Sequence, residues 1–335
     1  MQATNKPIAS LSLDLDNKWS YLKTHGDPAW SALPSYLDLL IPRVLHFLAE
    51  RRLQITFFVV GQDAAAAQHA DLLRDIATTG HELGNHSFHH EPWLHRYSAA
   101  QIDEELARTE DALVRITGRR PVGFRGPGYS CSAATLRVLA RRHYLYDAST
   151  LPTFLGPLAR LYYFMSARLN AEEKANRAQL FGTLRDGLRP IQPYRWTLPD
   201  TALTHPLVEI PVTTMPWVKL PIHFSYLLYL GGYSMAAALL YFQSALTLCR
   251  LHHLQPSLLL HPLDFLGADD VQDLAFFPGM GLPHQRKLQI VSRALQMLTD
   301  QFTVVTMQEH AQQIARQPRL PAVDAQVSFA ETVTA

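Results

Sequence analysis

Apolar residues along this chain keep switching between two spacings, every second position and every third or fourth. Alternation with a period of two marks a strand, because successive side chains leave opposite faces, while a period near 3.6 marks one side of a helix. Strands are expected at residues 8–15, 54–60, 84–87, 122–125, 144–147, 208–212, 257–261 and 302–306. Between them, helical spacing runs over 35–52, 62–79, 99–117, 132–142, 283–300 and 308–316. Strand and helix in turn make βα units, which pair as a parallel sheet. About seven or eight such strands are enough to close on themselves, so the expected fold is α/β, a distorted TIM-like (β/α) barrel.

Two segments break this rhythm and are expected as insertions, at about 150–196 and 220–249. The rest of 1–316 is expected as a single domain, and 317–335, which keeps no period, as a disordered tail. The second insertion, LPIHFSYLLYLGGYSMAAALLYFQSALTLC, holds no Asp, Glu, Lys or Arg. Its length would span a bilayer, but Pro221 and the pair Gly231 and Gly232 interrupt it. A buried barrel helix and a surface that touches a membrane are the other two readings. The second gains from residues 153–168, where Phe154, Tyr162, Tyr163 and Phe164 interleave with Arg160 and Arg168, followed by Lys174, Arg177, Arg185 and Arg189. Aromatic and basic residues together suit an anionic headgroup region.

Charge narrows the field. Thirty basic and 29 acidic residues leave a net charge of +1, so no global field points to nucleic acid. The two cysteines, Cys131 and Cys249, are far apart and fit a reducing compartment. The first residues, MQATNKPIASLSLDLD, lack the apolar stretch of a secretory signal, so the expected location is cytoplasmic, with peripheral contact at the inner membrane.

Candidate chemistry collects at the ends of the expected strands. Asp14 and Asp16 close the first, on the same side of it, where two carboxylates repel unless a cation lies beside one. His86 and His90 stand four apart in HSFHH, a spacing at which two rings can converge on one ion. Arg125 leaves the turn FRGPGY, Asp147 ends another strand, and His261 ends the apolar run LLLH. Each alone is compatible with a turn, a helix cap or a core histidine. Their common placement at strand C-termini is what carries weight, because barrel enzymes work at that end.

These motifs resemble the polysaccharide deacetylase family, also called the NodB-homology group or carbohydrate esterase family 4. HSFHH is similar to its H-[ST]-x-x-H motif, FRGPGY to R-x-P, LLLHP to L-x-x-H, and TFFVVG to its structural T-F-F-x-x-G. The usual T-F-D-D-G is here Leu13-Asp14-Leu15-Asp16-Asn17, which resembles a D-x-D subgroup that includes peptidoglycan deacetylases, allantoinase-like enzymes and lipid-linked aminoarabinose deformylases. The resemblance implies a divalent metal, zinc above others, held by Asp16, His86 and His90. It implies Asp14 as general base, oriented by Arg125 with Asp147 pairing behind it. It also implies His261 as the proton donor to the leaving amine, and a backbone N–H near Tyr129 for the oxyanion. Asp264 reads as an exposed helix-start residue more readily than as a partner of His261.

The expected substrate is an N-acylated amino sugar, acetyl or formyl, on a glycolipid or lipid-linked carrier at the cytoplasmic membrane face. A soluble amidohydrolase for a small amide is the alternative enzyme, and a catalytically silent binding barrel the alternative from another class.

Overall fold

The structure, a computed structural model, describes residues 6–158, 184–199 and 205–329. All eight expected strands are present: β1 (Ile8–Leu15), β2 (Thr56–Val59), β3 (Glu82–Asn85), β4 (Gly123–Phe124), β5 (Tyr146–Asp147), β7 (Val208–Glu209), β8 (Ser257–Leu260) and β9 (Thr303–Val305). Two more were not legible in the periodicity, β6 (Tyr194–Thr197) and β10 (Ala322–Asp324). One sheet runs β10-β6-β7-β5-β4-β3-β2-β1-β8, with β9 also on β1, and every pairing is parallel except β6 with β7.

Among the described residues strand pairing leaves this sheet open, so the barrel is distorted. Its two sides are tied where the chain runs on past β7. There Val212 N–H donates to Thr150 O, Thr213 N–H donates to Ser257 O at 2.9 Å, and Ser257 N–H donates to Thr213 Oγ1 at 2.8 Å. β1 pairs with β2, β8 and β9 and is buried along nearly its whole length, as a strand covered on both faces must be.

Helices cover the sheet: α1 (Lys18–His25), α2 (Leu37–Ala49), α3 (Gly61–Ala65), α4 (Ala70–Thr78), α5 (Ala99–Thr117), α6 (Ala133–Arg141), α7 (Phe224–Tyr233), α8 (Met235–Leu251), α9 (His284–Gln301), α10 (Met307–Ala315) and α11 (Ala325–Phe329). α5 shows why the pattern was readable. Ser98 and Gln101 form a capping box at its start, and Gly118 takes the left-handed turn that stops it at φ 70°.

The charge-free segment resolves into α7 and α8, divided at Ser234, whose hydroxyl accepts from Ala237 N–H to start α8. Their inner faces, among them Phe224, Leu227, Phe242, Ala245, Leu246 and Cys249, join the main core. Gly231 lets α7 approach α9, since a Cβ there would lie 2.8 Å from Ile290 Cδ1. The outer faces stay apolar and exposed at Tyr229, Tyr233, Leu240 and Leu251. Among the described residues no helix is long and apolar enough to cross a membrane.

The expected disordered tail is corrected over residues 317–329. β10 pairs in parallel with β6, and α11 follows with Ala325 buried against the core beside Trp196. Period counting misses a three-residue strand whose partner lies more than a hundred residues away. Of the first insertion, residues 159–183 lie outside the described residues, and with them much of the aromatic and basic stretch.

Candidate active site

The C-terminal ends of the parallel strands gather most of the expected residues in one place. β1 delivers Asp14 and Asp16 on one face, with Leu15 between them in the core. His86 follows β3 directly, and the turn to His90 uses left-handed backbone at Ser87 (φ 58°) and His90 (φ 51°). Such φ values strain a residue with a side chain and persist only when neighbours enforce them. Glu105 of α5 does so: its Oε2 accepts from both Phe88 N–H and His89 N–H at 2.9 Å, and its Oε1 pairs with His89 Nδ1. Gly61 N–H and Gln62 N–H donate to Ser87 O and Phe88 O from the opposite side.

Asp16, His86 and His90 offer one ligand atom each, all within 4.8 Å of one another and all buried. His86 Nδ1 sits 2.6 Å from Arg125 O, which can only accept, so Nδ1 carries the proton and Nε2 presents a lone pair. That Nε2 lies 3.3 Å from Asp16 Oδ1, and His90 Nε2 lies 2.9 Å from the same oxygen. Yet Asp16 Oδ1 and both nitrogens of His90 make no hydrogen bond among the described residues. Buried polar atoms without partners are rare, and donor atoms converging without hydrogen bonds suit a cation between them. Burial pushes the Asp16 carboxyl up, but the charges and contacts of His90 and His86 outweigh it and hold it well below the carboxylate range. For His86, burial pulls down, and Asp14 and Asp16 together lift it above its ordinary value. A carboxylate with two imidazoles is a donor set that fits a divalent ion and leaves positions for water and substrate.

Beside this cluster, Arg125 is fully buried. Its Nη1 donates to Asp14 Oδ1 at 2.7 Å and to Ser12 Oγ at 2.8 Å, its Nε donates to Ala148 O at 3.0 Å, and its guanidinium lies 4.4 Å over the Phe58 ring. The expectation that Asp147 pairs behind Arg125 is corrected. Tyr146 packs on Phe58, on the Arg125 side of β5, so Asp147, the next residue, faces away. Its carboxylate takes the Ser149 hydroxyl, lies 3.5 Å from Cys131 Sγ and bonds to Glu209. Burial raises both acids, and the neighbouring Asp147 lifts Glu209 further. The Tyr129 N–H is also not a free oxyanion donor here, since it donates to Gly126 O at 3.0 Å.

β1 and β8 pair in register up to Leu13 with Leu260. His261 therefore leaves its strand at the level of Asp14. Asp264 is not the exposed residue expected: it is 1% accessible, and its Oδ2 accepts from His261 N–H at 2.8 Å. Sequence reasoning also passed over Asn17 and Asp63. Asp63 Oδ1 accepts from Asn17 Nδ2 at 2.7 Å and from Trp19 Nε1 at 3.0 Å, tying the end of β1 to α3. An Asp directly after T-F-F-V-V-G-Q was the available signal.

Residues 35–146 match the family described as Polysaccharide deacetylase, a span that includes His86, His90 and Arg125. Among curated proteins, the chain is 38% identical over 79 residues to the peptidoglycan-N-acetylmuramic acid deacetylase PdaA of Bacillus subtilis, covering 24% of this chain and 29% of that one. It is 34% identical over 95 residues to the chitin deacetylase of Colletotrichum lindemuthianum, covering 28% and 38%. The matched stretches are thus under two fifths of those relatives' lengths. Among solved structures, a candidate polysaccharide deacetylase from Mycobacterium smegmatis superposes with a TM-score of 0.58 at 19% identity, over 96% of this chain and 95% of the other, which establishes a shared fold.

Proposed function

We propose that this chain, which belongs to the polysaccharide deacetylase family through residues 35–146, is a metal-dependent amidohydrolase that removes an N-acetyl or N-formyl group from an amino sugar. The observation that carries the reading is the convergence of Asp16, His86 and His90 on one buried point, with Asp14 held by Arg125 alongside. A divalent ion at that point, zinc in this reading, would supply Lewis acidity to an amide carbonyl and to water.

The protein's own groups then divide the work. Asp14 accepts the proton of the attacking water, and Arg125 fixes which oxygen of Asp14 faces inward. His86 is locked in one tautomer by Arg125 O, so the same residue orients both the base and a ligand. His261 gives a proton to the amine as the C–N bond breaks and its electron pair moves to nitrogen. Asp147 has no place in these steps.

The relatives named above are deacetylases of peptidoglycan and chitin, which supports an N-acetylated sugar. Within that class, we favour a sugar on a glycolipid or lipid carrier, reached at the cytoplasmic face of a membrane. The support is the outer face of α7 and α8, uncharged as far as Arg250 in the last turn of α8, where Tyr229, Tyr233, Leu240 and Leu251 are exposed, with Trp217 exposed nearby in sequence.

A hydrolysis screen of formyl and acetyl amino sugars, free and lipid-linked, with metal-replete protein tests the activity. Release of formate or acetate supports it, and no release from any substrate contradicts it. Co-sedimentation with phosphatidylglycerol vesicles tests the membrane contact, and no binding at low salt would remove it.

A further inference from the structure

We infer that Ser225, in the first turn of α7, is a positioning residue that couples the His261 imidazole to the buried carboxylate of Asp264. The inference rests on the reading of His261 as proton donor. Ser225 Oγ lies 3.1 Å from His261 Nδ1, and the same side chain bonds to Asp264. A hydroxyl has one proton to give. Asp264 can only accept when ionised, so the proton goes there and the hydroxyl oxygen accepts from His261 Nδ1–H. Nε2 is then the nitrogen that gains and gives the working proton. The carboxylate acts on the ring through an intervening hydroxyl supplied by the charge-free insertion.

The surroundings hold this arrangement still. Asp264 also accepts from His261 N–H, so one carboxylate fixes both the backbone and, through Ser225, the ring. The buried Lys287 of α9 donates to Leu263 O and Leu266 O, both at 2.7 Å, which clamps the turn that carries Asp264. The titratable groups facing His261 are Asp264 on its own turn, His223 at the start of α7 with ring centres 6.2 Å apart, and Lys287 behind Asp264. Tyr21 and Tyr129 also feel the Asp264 charge. Of these, Asp264 is bonded to the His261 backbone, while Ser225 is bonded to its ring.

Kinetics of Ser225→Ala on two substrates test this, because only one leaving group needs a proton. N-acetylglucosamine trimer releases an amine, whereas 4-nitrophenyl acetate releases a stable phenolate. Ser225→Ala should lower kcat on the amide about tenfold with KM nearly unchanged, and leave the ester rate within about twofold. The alkaline limb of the amide pH profile should move to lower pH, since the imidazolium loses its acceptor, and Ser225→Thr should restore both. An equal loss on amide and ester, or an unchanged amide rate, would overturn the role of Ser225. Failure of the underlying reading is separately visible: His261→Ala would then keep amide hydrolysis.

Discussion

Arg125 Nη1 donates to Asp14 Oδ1 at 2.7 Å while the Arg125 carbonyl receives His86 Nδ1 at 2.6 Å, so one residue ties the base to the ligand set. The guanidinium serves Asp14, Ser12 and Ala148 together, a geometry that a lysine ammonium on a flexible stem does not reproduce. Arg125→Lys should therefore keep the fold and the metal, because the backbone carbonyl remains. Hydrolysis should fall about 100-fold from misplacement of Asp14 alone. Steady-state kinetics beside metal content would show this. Full activity in the variant would mean that Arg125 does not orient the base.

Glu105 makes a second, independent claim on the ligand loop. It is buried and satisfies two consecutive backbone N–H groups in a turn held at unfavourable φ. Glu105→Ala should leave those groups without partners, cost about 1–3 kcal/mol of stability, and weaken metal affinity by roughly 10- to 100-fold through His90. Competition with a chelator of known affinity measures the second effect. An unchanged affinity would separate the loop's conformation from its ligands.

Legibility followed chain geometry. Asp14, Asp16, His86, Arg125 and His261 could be placed from sequence because each lies at the end of a strand, with His90 one turn past His86, and parallel strands bring their ends to one side of a sheet. Asp147 could not be oriented: β5 is two residues long, and a one-residue error in where a strand begins exchanges its faces. Asp264 was misjudged because an acid after Pro262 reads as a helix start, and only the packing of α9 and Lys287 shows it buried. Glu105 and Asp63 reach the site from helices, on faces where a charged residue usually meets solvent. β6 and β10 are short, and their pairing is set by tertiary contacts that no local period records.

The reassigned Asp147 predicts a stability effect in place of a catalytic one. Asp147 and Glu209 are both raised by burial and share a hydrogen bond, so the folded chain retains a proton that the unfolded chain releases. A raised group contributes stability fully below its unfolded value, near 3.8 for an aspartate, and loses it as pH rises through the folded value. Asp147→Asn keeps a neutral donor for Glu209. Its stability should fall less than the wild type's as pH rises above the unfolded carboxylate range in chemical denaturation, with hydrolysis within about threefold of normal. A large loss of activity at unchanged stability would return Asp147 to the catalytic set.

His310 works in the opposite pH direction. It is fully buried on α10, its Nδ1 lies 2.8 Å from Ser10 Oγ, and burial lowers its pKa from 6.5 to about 3. The unfolded chain therefore takes up a proton below pH 6.5 that the folded chain refuses, and stability falls as pH drops from 6.5 toward 3. Between pH 6.5 and 5 this group alone removes about 2 kcal/mol. His310→Gln should flatten that part of the stability profile, measured by urea unfolding at each pH. A profile as steep as the wild type's would assign the acid sensitivity elsewhere.

The central claim is that Asp16 and His86 bind a metal while Asp14, two residues from one of them, does chemistry. Metal content and turnover measured together on Asp14→Asn and His86→Ala test it most directly. Asp14→Asn should retain one divalent ion per chain and lose hydrolysis by roughly 100- to 10,000-fold, the range of a general base. His86→Ala should lose the ion and the activity together. Full activity in both variants, on a substrate that the wild type hydrolyses, would contradict the site.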